Sequence, residues 1–301
     1  MTRSTLAAPV PDDGDVRPSG IAVVDKAAGM TSHDVVDIAR KVLGERKIGH
    51  SGTLDPDATG ILLLGVGGAT RLLRFLTDLP KTYTADFLFG TETSTLDASG
   101  EVTATHEMAF TPEQVTAATA AFVGEIEQIP PMVSAVRVDG KRLHELAREG
   151  KEVERKPRKV TVYRFEVTPT DDPLVYRAEA ECSSGTYIRT LAADLGTALG
   201  GGAHLTNLRR TKIGSFGEAE AKPVEDLVVL PAREGLRDYP QTTVDDDNAF
   251  LVRNGRVLDP DQLGGVAGTG PWAVSDESGQ LLAVYERVSQ HRVKPSLVLA
   301  P

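Results

Sequence analysis

The chain has a single cysteine, Cys182, in 301 residues. No intrachain disulfide can form, and a reducing compartment suits such a chain. No apolar run approaches the roughly 20 residues that a membrane-spanning helix requires. Residues 1–19 have neither the apolar core of a signal peptide nor the arginine richness of a transit peptide; their Pro, Asp and Ser content predicts a disordered tail. A cytoplasmic protein away from membranes is expected. Internal repeats, long low-complexity tracts and Cys/His metal spacing are all missing. The glycines at 49, 52 and 60 are not followed by Gly-Lys-Ser/Thr, which argues against a phosphate-cradling loop, and those at 65, 67 and 68 add nothing for nucleotide binding.

Positive charge is also in deficit, with a net charge of −10 that by itself argues against nucleic acid. The distribution reverses that argument. From Arg137 to Arg164 ten Lys or Arg face five Asp or Glu, so the rest of the chain is more acidic than the total suggests. Salt screens fields over about 10 Å, so a basic segment on an acidic protein can still grip phosphates. What is present otherwise is ordinary: 40% hydrophobic and 25% charged residues, in a length that allows one large domain and a small one.

Apolar spacing predicts a strand over Ile21–Asp25, then a helix capped at Thr31 or Ser32 with Val35, Ile38, Ala39 and Val42 on one face and Gly44 ending it. Strands are expected over Ile61–Val66 and Thr82–Phe89. Thr111-Pro112-Glu113-Gln114 is a helix start with cap, proline at the first position and a capping-box glutamine. Tyr176 to Cys182 alternates with period two, and after Ser183-Ser184-Gly185 a helix carries Ile188, Leu191, Ala192, Leu195 and Leu199 inward. Residues 231–247, rich in Pro, Asp and Arg, read as a linker. Trp272–Val274 and Leu281–Val284 then flank a hairpin turn in a small β-rich domain. The fold class predicted is α+β, with a mixed, largely antiparallel central sheet flanked by helices.

One segment carries chemistry: Gly49-His50-Ser51-Gly52-Thr53-Leu54-Asp55-Pro56-Asp57-Ala58-Thr59-Gly60. Three glycines frame one His and two Asp, and Pro56 holds Asp55 out of helical geometry, presenting a carboxylate just before a buried strand. Local chemistry alone leaves open an ordinary glycine-rich turn. The whole segment closely resembles the catalytic motif of the TruB family of tRNA pseudouridine synthases, Gly-His-x-Gly-x-Leu-Asp-Pro-x-Ala-Thr-Gly. Lys81-Thr82-Tyr83 resembles the family's Lys-x-Tyr motif, Cys182 to Thr190 its third motif, and Gly202-Ala203-His204 through Leu208-Arg209-Arg210 the segment after it. Pro130-Pro131, Ser134-Ala135 and Gly140 to Gly150 are similar to its T-arm-binding insertion. The resemblance spans roughly residues 20–216.

That resemblance implies isomerisation of the T-loop uridine 55 of tRNA: the C1′–N1 bond breaks, the uracil turns, and C1′ joins C5. No redox change or group loss occurs, so neither metal nor organic cofactor is expected. Asp55 is the implied catalytic carboxylate, its step open between attack on the sugar, attack on the ring and sugar proton abstraction. Arg189 can pair with it and keep it charged. Tyr83 is implied to stack on the uracil and manage the C5 proton. Tyr187 and Leu208 become walls of the base pocket, Lys81 is a further implied substrate contact, and His50 meets the flipped nucleotide or fills the space it leaves. Lys141, Arg142, Arg148 and Lys151, interleaved with Leu143, Leu146 and Ala147 at helical spacing, are the expected phosphate contacts. The organisation implied is a tail (1–19), a catalytic domain (20–236) with a T-arm-binding insertion (130–156), and a PUA-like RNA-binding domain (245–301). A monomer without an obligate protein partner is expected. Two other readings share the surface: a tRNA-folding protein with catalysis secondary, and a guide-dependent enzyme of the same superfamily. The intact set of Asp55, Tyr83 and Arg189 favours the isomerase.

Overall fold

Apolar residues pack from Gly20 onward in the computed structural model, which describes residues 18–134, 137–138, 141–143 and 153–299. Strand β1 (Gly20–Lys26) leads to helix α1 (Ser32–Leu43), capped by a Thr31/Asp34 capping box and ended by Gly44 in the left-handed region at φ 62°. Then come β2 (Ile48–His50), β3 (Thr59–Val66), helix α2 (Leu73–Asp78) and β4 (Lys81–Phe89). The short strands β5 (Thr91–Thr93) and β6 (Val102–Thr105) pair with each other. Helix α3 (Pro112–Thr119) has the expected Thr111/Gln114 box, and β7 (Gly124–Gln128) follows. β8 (Arg137–Val138) pairs antiparallel with β9 (Lys141–Arg142), so Lys141 and Arg142 lie in a strand rather than at helical spacing. Next are β10 (Arg158–Pro169), β11 (Val175–Cys182), helix α4 (Ile188–Ala198), β12 (Ala203–Ile213) and β13 (Phe216–Gly217).

The central sheet runs β1-β3-β12-β4-β11-β10-β7, with β2 on β3 and β13 on β12. Only β3 and β12 pair in parallel within it, so the mixed, largely antiparallel sheet is as expected. The parallel contact is two residues long, Thr59 opposite Arg209 and Gly60 opposite Arg210. It fixes the site, because it joins the strand that follows Asp55 to the strand that carries Leu208 and Arg210. Gly60 is required there: its φ is 100°, and a Cβ would lie 2.2 Å from the Arg210 carbonyl oxygen. Helices α3 and α4 cover one face of the β4/β10/β11/β12 half, around Phe87, Phe89, Leu191 and Leu195. Helix α1 covers β1–β3 through Val35, Val36 and Ala39.

The segment read as a linker is instead part of the body. Leu236 is fully buried, the Tyr239 hydroxyl donates to the Phe75 carbonyl at 2.8 Å, and Arg237 pairs with Glu220 while stacking over Phe216. Its Arg237 and Tyr239 are tied into the body rather than solvated, which composition cannot reveal. β14 (Gln241–Val244) already belongs to the C-terminal sheet, pairing in parallel with β15 (Trp272–Asp276). Asp245 caps helix α5 (Asp246–Arg253), and β16 (Leu281–Ser289) and β17 (Arg292–Val298) complete a sheet of order β14-β15-β16-β17. This sheet is not tethered loosely. Ala273, Leu281, Val284 and Leu297 share one apolar cluster with Ile21, Leu63, Leu72 and Phe75. Arg71 and Arg74 donate to the carbonyls of Val298 and Ser296, both at 2.6 Å. No helix among the described residues is long and apolar enough to cross a membrane.

Candidate active site

Asp55 is held by clamps on its two neighbours. On one side the Ser32 hydroxyl, buried in the first turn of α1, accepts from Leu54 N at 2.9 Å and donates to Leu54 O at 3.2 Å. On the other, Lys26 is wholly buried, and its ammonium donates to the carbonyls of Pro56, Met30 and Ala27 at 2.9, 2.7 and 2.9 Å. Gly29 N also donates to Pro56 O at 3.0 Å, and Ala58 N closes a turn onto Asp55 O at 3.1 Å. The carboxylate is therefore presented by a fixed backbone, which orientation-dependent chemistry needs.

Arg189, in the first turn of α4, meets it. Its Nε lies 3.3 Å from Asp55 Oδ2, and its side chain is 5% exposed against 40% for Asp55. The guanidinium also bonds Asp97 Oδ2 and Thr95 O, both at 3.1 Å, and Val133 O at 2.8 Å. One buried cation thus joins the catalytic-motif loop, the turn after β5 and the segment that enters the basic insertion. Burial lifts the Asp55 carboxyl above the usual carboxylate range. Arg189 opposes that shift and the Asp97 charge reinforces it. The sequence expectation that Arg189 pairs with Asp55 holds, but its attraction does not outweigh desolvation.

The pair stands at the wall between two cavities. The larger, about 260 Å³, is lined by Asp55, Lys81, Tyr83, Tyr187, Leu208 and Arg210 among others. It falls just below the ~300–1,000 Å³ usual for small-molecule sites. The smaller, about 110 Å³, lies on the Asp97 side of Asp55, Arg189 and Leu208. Burial raises the Tyr83 phenol, so it stays protonated at neutral pH and can donate. Lys81 lines the cavity, but its ammonium caps the C-terminal turn of α2, bonding the Thr77 carbonyl and, at 2.6 Å, Leu79 O. Burial, with Arg210 nearby, lowers it to about 8. His50 ends β2 and is absent from the cavity wall; burial lowers its pKa, with His33 and Arg210 adding to the shift. Of the expected phosphate contacts, Lys141 and Arg142 are on β9, and Arg148 and Lys151 lie outside the described residues, as do Leu146 and Ala147. Leu143, expected on the docking stripe, is buried.

Three participants have no role in the sequence reading. Lys26 and Asp97 are distant in sequence from the residues they serve, and only the folded loops reveal them. Arg210 is 1% exposed; it donates to Ile61 O at 2.7 Å and Gly52 O at 3.2 Å and lines the cavity beside Tyr83. Its neighbour Arg209 points the other way, to Asp25 at 2.9 Å and Glu218 at 2.6 Å. Nothing in Arg-Arg distinguishes the inward residue from the outward one.

The same fold occurs in solved structures. A chain of a Cbf5-Nop10-Gar1 complex matches with a TM-score of 0.74 at 24% identity, covering 94% of this chain and 86% of that one. A chain of an H/ACA RNP bound to a substrate RNA containing 2′-deoxyuridine matches with a TM-score of 0.70 at 23% identity, covering 94% and 85%. Together with the sequence profiles, this fold and its glycine-framed aspartate define a pseudouridylate synthase. The profile "TruB family pseudouridylate synthase (N terminal domain)" matches residues 40–188, and "tRNA pseudouridylate synthase B C-terminal domain" matches 189–244. Proteins named tRNA pseudouridine synthase B are similar along nearly the whole chain: one from Rhodococcus jostii is 45% identical, covering 94% of each chain, and one from Arthrobacter sp. 42%, covering 94% and 97%. The chain belongs to the TruB family.

Proposed function

We propose that the protein isomerises uridine 55 in the T-loop of tRNA to pseudouridine, with Asp55 acting on a flipped nucleoside in the larger cavity. The observation that carries this reading is the Asp55–Arg189 pair at the wall of a cavity walled by Tyr83, Tyr187 and Leu208. Its relatives are named for tRNA. Tyr83 supplies an aromatic face and a protonated phenol, Tyr187 and Leu208 close the pocket, and the Lys81 stem packs at its margin. The insertion at 130–156 grips the T-arm through Lys141, Arg142, Arg148 and Lys151, and the C-terminal sheet is a PUA-like surface for the rest of the RNA. His50 contacts the nucleotides beside the target. The protein works in the cytoplasm as a monomer. Incubation with a T-arm hairpin, followed by mapping of pseudouridine, tests the assignment: conversion is expected at the uridine equivalent to position 55 alone. No conversion there, or conversion at unrelated uridines, would end it.

Two further results are expected. The reaction needs ionised Asp55, whose pKa lies above the usual range. Lowering pH protonates it, so the single-turnover rate should fall on the acid side with an apparent pKa clearly above the ordinary ~3.9. A profile flat down to that value would contradict the buried environment. Replacing Arg142, Arg148 and Lys151 by Glu should weaken hairpin binding strongly and flatten its salt dependence, by about 0.7–0.9 in log–log slope per lost phosphate contact. The rate at saturating RNA should change much less, because phosphate contacts serve ground and transition states alike. An unchanged salt slope would assign the insertion no phosphate role.

A further inference from the structure

Strand β12 changes parity halfway along, and the active site depends on it. Leu205 pairs with Phe87 and Thr206 with Asp86, but the next partners are Arg209 with Thr84 and Arg210 with Tyr83. Between them β12 spends two residues, Asn207 and Leu208, where β4 spends only Ala85. This is a β-bulge. Ala203 and Leu205 face the helix-covered core before it; Leu208 and Arg210 face the cavity after it. In an unbroken strand of period two, Asn207 and Arg209 would take that face, and Leu208 and Arg210 would point behind the sheet.

Asn207 adopts the left-handed conformation, φ 51°, one of only two described non-glycine residues at positive φ. That conformation is costly for most side chains and tolerated by Asn. Its amide Nδ2 donates to Asp86 Oδ2 across the strands at 2.8 Å, and Asp86, 7% exposed, is held in turn by Arg177 Nε at 2.9 Å. The bulge also marks where β12 exchanges neighbours. Before it, Leu205 bonds the Asp97 turn through Leu96 O and Ala98 N, both at 3.0 Å; after it, β3 takes over at Thr59 and Gly60.

We propose that Asn207 and Asp86 are positioning residues, setting through their cross-strand hydrogen bond the bulge that turns Leu208 and Arg210 into the base pocket, although Asn207 also borders the smaller cavity. The inference rests on that cavity being the pocket, so each assay includes wild type and Asp55→Asn. If wild type is inactive on the T-arm hairpin, or Asp55→Asn is active, the functional reading fails and not the bulge. Asn207→Gly keeps the left-handed backbone accessible but also loses the bond to Asp86, so its single-turnover rate should fall no further than that of Asp86→Ala, within about 10-fold of wild type. Asn207→Val disfavours it and should lower that rate at least about 30-fold, with hairpin Kd within a few-fold, at a temperature where circular dichroism shows the variant folded. Asp86→Ala removes the anchor, and with it the Arg177 pair, and should cost roughly 3–10-fold in rate, which keeps the proposal testable should the Val variant not fold. Loss in the Gly variant equal to that in Val, a normal rate in Val, or a normal rate in Asp86→Ala would each overturn it. General destabilisation would lower the melting temperature of the variants without the Gly rescue.

Discussion

Asp55→Asn should abolish turnover while leaving hairpin affinity within a few-fold. Asparagine preserves shape and hydrogen-bonding reach, and the clamps from Ser32 and Lys26 act on the backbones of Leu54 and Pro56, so the loop stays in place. What disappears is the negative charge and with it both nucleophile and base. Transition-state stabilisation of roughly 8 kcal/mol or more is at stake, far beyond any binding term. Assays with hairpin in excess over a verified variant decide the matter: detectable multiple turnover would remove Asp55 from the chemistry.

Arg189→Lys should come second in size. Lysine keeps the charge, but the ammonium is a point and the guanidinium a planar fork. In place, that fork serves Asp55, Asp97, Thr95 and Val133 at once. One ammonium cannot reach all four, so some buried acceptors lose their donor, at about 1–3 kcal/mol each. The chemical step should slow by two orders of magnitude or more, with a modest fall in melting temperature and little change in hairpin Kd. A near-normal rate would make Arg189 a structural ion pair only.

Those two residues were legible through their resemblance to the family's motifs, which are contiguous and so survive in the linear chain. The sequence also disclosed elements whose ends are marked chemically, such as α1 between Thr31 and Gly44 and α3 at Thr111-Pro112. Groups that act across the fold were illegible. Lys26 serves Pro56, thirty residues away, and Asp97 meets Arg189 ninety-two residues on. Their roles arise from loop closure, which leaves no local pattern. The inward turn of Arg210 depends on one extra residue in β12, invisible without the register of β4. Residues 231–247 misled for a different cause: Pro, Asp and Arg serve packed 3-10 turns and caps as readily as they serve a solvated connector.

The apolar cluster shared by Ala273, Leu281, Val284 and Leu297 with Ile21, Leu63 and Leu72 makes the two sheets a caliper without a joint. Swinging the C-terminal sheet would uncover several side chains worth about 1.5–3 kcal/mol each, more than a hinge motion can tolerate. The gap between its outer edge and the Asp55 cavity is therefore a fixed length. On the proposed reading, an RNA that touched both ends would meet a span that does not adjust to it.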